Sequence, residues 1–195
     1  MNSSENLRNA LQVMYQTYDN VQKLMSYCIT FAKESTKYRC FSDKFLRWKS
    51  DSYTAGWLTN SFILLFQNEN SEDCESRNGW KKDAVYAMEI CLGEKGKDNK
   101  PLIYLSKFEY YDINKWSEGC SPSNHWIFSH PTRIGDIMEH NENGDYRIGN
   151  PKSTNIQDKY WGLKKVTTRT ISLFDITAEN VNEKIFNEFD QLANM

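Results

Sequence analysis

Two stretches decide the fold of this chain: 84-AVYAMEICL-92 and 102-LIYLSKFEYY-111. In the first, Ala84, Tyr86, Met88, Ile90 and Leu92 alternate with Val85, Ala87, Glu89 and Cys91. The second repeats the period of two, the spacing at which side chains fall on one face of a pleated strand. Between them, 93-GEKGKDNK-100 is polar and contains glycine, as the loop of a hairpin requires. The centre of the chain is therefore an antiparallel β-hairpin.

Working outward, residues 57–67 predict a buried strand, because 62-FILLF-66 is short, continuous and apolar. Residues 165–176, rich in Thr and Ile, predict another. The acidic stretch 68–78 and the Gly- and Pro-broken stretch 112–124 predict loops. Trp126 to Phe128 suggests a short strand, followed by a short helix begun by Pro131 and carrying Ile134, Ile137 and Met138. From Glu139 to Lys159 the chain is polar, with Asn143-Gly144 and Asn150-Pro151 turn signals, and is expected to be irregular, with Asn141 to Lys159 the least protected stretch.

Helices flank this β region. Leu7, Leu11, Met14, Tyr18, Val21, Met25, Cys28 and Ala32 are separated by alternating steps of four and three, which puts them on one helical stripe. Ser3 or Ser4 can cap the start. A helix over 4–33 would be about 45 Å long at 1.5 Å per residue. A single domain of this length has a radius of gyration of about 16 Å. The helix must cross the whole domain or project beyond it, and the face of Leu11, Tyr18 and Met25 is expected to be buried. At the other end Thr177 resembles a cap, Ile176 and Val181 a hydrophobic staple, and Val181, Ile185, Phe189 and Leu192 a buried stripe. The expectation is a single α+β domain. A helix over 1–34 and a closing helix over 177–194 pack on a mainly antiparallel sheet formed from 37–176.

Composition bounds the function. The 195 residues carry 24 basic and 26 acidic side chains, a formal charge of −2. That balance argues against a protein wrapped in nucleic acid. The five Cys include no CxxC pair, which favours free thiols in a reducing, cytoplasmic setting. The longest unbroken apolar run is far below the ~20 residues of a membrane span. Asn and Lys are abundant throughout, which reads as a low-GC genome bias rather than as function; a phage or prokaryotic source is expected.

Candidate chemistry falls into three groups. His125, His130 and His140 cluster in sequence, but without the fixed short spacing of a zinc site; ordinary hydrogen bonding explains them as well. Asp83, Glu89 and Glu109, with Lys107, could supply the acids and base of a metal-dependent nuclease. The order of Lys107 and Glu109 is the reverse of the restriction-type pattern, and cross-strand charge pairing is the simpler account. No P-loop, GxGxxG, GxSxG or HxE with a paired CxxC is present, and no cofactor is expected. Residues 37–49 interleave cations with rings. Arg39, Arg47, Trp48 and Lys49, with Trp57 beyond them, are the candidate binding surface; the competing account buries Trp48 in the core beneath lysine and arginine stems.

The reading that follows is a non-catalytic binding or regulatory module for a macromolecular partner, of the kind met in phage or mobile-element interaction proteins, immunity-type inhibitors and sensors. A protein partner is favoured over nucleic acid, and the long helix offers a surface for a homodimer. The alternative is a metal-dependent nucleic-acid-processing enzyme using the hairpin acids.

Overall fold

The structure is a computed structural model that describes residues 2–42, 44–76, 79–93, 100–116 and 120–195. Its centre is the expected hairpin: β3 (Val85–Cys91) pairs antiparallel with β4 (Leu102–Tyr110). Most of the connecting loop lies outside the described residues. With β1 (Tyr38–Cys40), β2 (Ser61–Asn68), β5 (Met138–Asn143), β6 (Tyr146–Pro151) and β7 (Leu163–Ser172) it builds a seven-stranded sheet. The order is β1-β2-β3-β4-β7-β6-β5, and every neighbouring pair is antiparallel.

Both faces of the central strands are covered, which is why β2 and β3 are apolar on both sides and buried almost throughout. On one face lie α1 (Ser3–Ser35) and the C-terminal helix, in which a π-helical turn (Asn182–Phe186) runs into α4 (Asn187–Ala193). Met25, Cys28, Ile185 and Phe189 pack there against Leu64, Phe66, Met88 and Leu105. On the other face α2 (His125–Arg133) and α3 (Thr154–Lys159) join the Trp80 and Trp116 loops over Ile63, Leu65, Ala87 and Phe108. The result is an α+β domain with a helical N-terminus and a helical C-terminus on an antiparallel sheet.

Several expectations are corrected. The polar stretch after Glu139 is regular: β5, β6 and α3 occupy most of it. Gly144, at φ +61°, is the first central residue of a two-residue turn between Asn143 and Tyr146, a position that favours glycine. Trp126 to Phe128 is helical, and Pro131 stands inside α2 rather than at its start. Within 37–49 the described residues include β1 and a bridge from Leu46 to Ile63 of β2. Asn2, not Ser3 or Ser4, caps α1, accepting from the Ser4 amide at 3.2 Å.

The long helix takes the projecting course. Every described residue from Asn2 to Val13 is exposed, and the first buried one is Val21. Of the face expected to be buried, Met25 is fully enclosed and Tyr18 is half-buried against Phe62, whereas Leu11 is 43% exposed.

Candidate functional site

A bonded cluster of five polar side chains sits where α2 crosses the start of β2 and the middle of β3. His125, Ser129 and Arg133 are spaced four apart on α2, so one helix face carries all three. That face meets Ser61, the first residue of β2, and Glu89 on β3, whose neighbour across β4 is Tyr104. Ser61, Glu89, His125 and Ser129 are all buried.

The hydrogen-bond directions fit together in one way. Arg133 Nη2 donates to Glu89 Oε1, and its guanidinium lies 4.8 Å from the Tyr104 ring centre. Ser61 Oγ donates to the same carboxylate oxygen. The Ser61 oxygen then accepts from His125 Nε2 at 2.7 Å, while Ser129 Oγ lies 3.3 Å from His125 Nδ1 and donates to it. Nε2 must therefore carry a proton. Burial, reinforced by the charge of Arg133, lowers the His125 pKa to about 4, so the ring is neutral at neutral pH.

In this arrangement the Ser61 proton points to a carboxylate already held by an arginine, and His125 has no lone pair facing Ser61. A serine nucleophile needs the reverse, an imidazole nitrogen accepting its proton. Burial pushes the Cys28 and Cys120 thiols up to about 12, which leaves both protonated at neutral pH. The hydrogen bonds of the cluster lock α2 to β2 and β3.

Beside this lock opens a cleft of about 560 Å³ lined by Trp48, Asn60, Ser61, Trp126, His130 and Arg133, among others. Its rim is the loop from Trp48 to Asn60. Ser50 shapes that loop: its amide donates to the Gly56 carbonyl at 3.1 Å, and its hydroxyl accepts from the Ser52 and Tyr53 amides, each at 3.2 Å. A Cβ on Gly56 would come within 2.6 Å of Ser50 and 2.9 Å of the Trp48 ring. The absence of a side chain there lets the loop close with Trp48 at its edge. Four large side chains on this loop face solvent: Trp48, Tyr53, Trp57 and Leu58, with Trp57 68% exposed.

Of the expected binding residues, Trp48 lines the cleft, and Trp57 belongs to the same exposed loop. Lys49 is exposed between them in sequence. Arg47 lies over the Phe45 ring, and Arg39, at 5.2 Å from the Phe41 ring centre, stands on β1 away from the cleft lining. The hairpin acids are divided. Glu89 is on the α2 face, whereas Lys107 and Glu109 are on the opposite face, where Lys107 donates to the Ala193 carbonyl and Glu109 pairs with Lys165 at 2.7 Å. Asp83 accepts from Ser71 Oγ at 2.7 Å and lines, with Lys107 and Glu109, a separate shallow cleft of about 330 Å³.

Among the described residues no three His, Cys, Asp or Glu side chains are grouped to hold a metal ion. His130 faces Tyr160 at 3.3 Å, while His140 stands on β5 with its ring against Gly149. Sequence reasoning missed Ser61, Tyr104, Ser129 and Arg133. The spacing of His125, Ser129 and Arg133 was a usable signal, hidden by reading 126–128 as a strand. Comparison with known proteins gives no match: no protein-family model, curated protein or solved structure is similar to this chain.

Proposed function

We propose that this chain is a non-catalytic module that binds a protein partner, using the loop from Trp48 to Asn60 and the cleft beneath it. One observation carries the reading: Trp48, Tyr53, Trp57 and Leu58 are exposed together on a single loop that its own hydrogen bonds hold in shape. Large apolar rings left in water on a preformed loop cost less ordering on binding, and Trp and Tyr dominate the binding energy of protein interfaces. Trp126 and His130 extend the surface inward, and Arg133, paired with Glu89, also lines the cleft. The non-catalytic part of the reading is supported by the proton arrangement around Ser61, which commits the cluster to holding α2 rather than to activating a nucleophile.

The test compares a tagged wild-type protein with Trp48→Ala and Trp57→Ala, each purified from the native host. The same co-purifying protein should be retained by the wild type and lost by both variants, with melting temperatures close to wild type. Retention of that partner by both variants would overturn the proposal, as would metal-dependent cleavage of a mixed nucleic-acid substrate that Glu89→Gln abolishes.

A further inference from the structure

The stripe on α1 runs unbroken from Leu7 to Ala32, but this protomer covers only its second half. Val21, Met25, Cys28 and Ala32 are buried against the sheet; Leu7 is 64% and Leu11 43% exposed. A steady seven-residue spacing of this kind is the seam of a helix pair. The projecting segment is about two heptads long, and a helix of that length is marginal in water without a packing partner. Beside its root, Val21, Leu24 and Tyr27 of α1 face Leu173, Phe174 and Ile176 across an apolar groove of about 550 Å³.

We infer that this arm pairs with the arm of a second copy of the same chain, the two α1 helices running antiparallel about a two-fold axis. In an antiparallel pair that sets Leu11 against Met14, Leu7 meets Tyr18 of the other copy, and the first turn of each arm reaches the root of the other and its groove. One patch then covers its own equivalent, as a closed two-fold dimer requires. Charge fits this occupant. The positions flanking the seam are Arg8 and Tyr15 on one side and Ala10 and Thr17 on the other, while Glu5 and Asp19 lie on the outer side; the antiparallel pair sets Arg8 beside Tyr15 of the other copy, so no like charges meet along this stretch of the seam. A membrane surface fits poorly, because the polar face is Asn9, Gln12, Gln16 and Asn20 with a single arginine nearby, not the cationic face that anionic lipid selects. The arm and the aromatic loop are different elements, so this inference stands independently of the partner-binding loop.

Sedimentation equilibrium on the full chain tests it. The expected result is a dimer for the wild type and a monomer for the double variant Leu7→Asp, Leu11→Asp. That variant should keep its near-ultraviolet circular dichroism, since both side chains are already exposed in the protomer. A monomeric wild type across the micromolar range would overturn the inference, and so would a dimer that survives the double variant. A nitroxide on Gln12→Cys reads the geometry, with the unsubstituted protein as the labelling blank. The antiparallel pair gives a short distance between the two labels, and labels on Asn2→Cys should lie roughly 30 Å apart from the helical rise. Short distances at both positions would contradict the antiparallel arrangement.

Discussion

Glu89 and Arg133 form an ion pair in which the carboxylate is buried and the guanidinium is partly exposed. Removing Arg133 leaves a carboxylate enclosed with only hydroxyl and imidazole company, so Arg133→Met should lower stability by about 3–5 kcal/mol. Adding Glu89→Leu should recover part of that loss, because the orphaned charge goes with it; denaturant melts of the three proteins decide this, and a double variant no better than the single would show that the pair is not coupled. His125 gives a pH signature. Its folded pKa is held at about 4, below the ordinary 6.5, so the unfolded chain takes up the proton first as pH falls. Stability should therefore be full above about pH 6.5 and decline by up to about 3 kcal/mol on the way to about pH 4. His130 and His140 are lowered as well, chiefly by burial, and add to the decline. His125→Gln should flatten the curve relative to wild type, and an unchanged slope would remove His125 from the account. Both Glu89 and His125 stood out in the sequence, though for separate chemistries. Their meeting was illegible there because it depends on α2 lying across β2 and β3, a tertiary fact that no local spacing encodes.

At the level of elements, strong period-two and continuous apolar runs were read correctly as β2, β3 and β4, since burial on one or both faces forces such patterns, and β7 was read from its Thr and Ile content. The β5–β6 hairpin was missed because its pattern lacks that force. It lies at the sheet edge, with β5 largely exposed and β6 largely half-buried, so Glu, His and Asn serve on β5 as well as Val or Ile. Its one local signal was Asn143-Gly144, a hairpin turn that reads equally as the tip of a loop. Amide exchange should now be slow in β6, which is paired on both sides, with Ile148 and Gly149 registered to Thr167 and Val166 of β7. Exchange there as fast as in a free loop would contradict the sheet order. Gly144→Val should cost roughly 1–2 kcal/mol by placing a branched side chain at positive φ, read as a lower denaturation midpoint. Gly56→Ala acts on a different element: its Cβ would collide with Ser50, so the loop must reshape and partner binding should weaken while the core is spared. Unchanged binding would mean that loop shape is irrelevant to recognition.

The whole molecule is a doubly covered antiparallel sheet with two features left facing outward, the helical arm and the aromatic loop. The α+β class and the helical ends were legible because helices and sheet each need an apolar face against the other. That the arm projects was one of two courses its length allowed; which one holds depended on where the sheet ends. The surface role of Trp48 was legible as a choice between recognition and core, and its exposure on the cleft rim favours recognition. The most direct test measures two quantities on Trp48→Ala: the melting temperature, and the amount of partner recovered from the native host relative to wild type. The account predicts a melting temperature near wild type with the partner largely lost, an affinity loss on the order of 2 kcal/mol or more for an interface hot spot. A stability loss of about 3–5 kcal/mol, the cost of a cavity left by a core indole, with partner recovery unchanged, would contradict it.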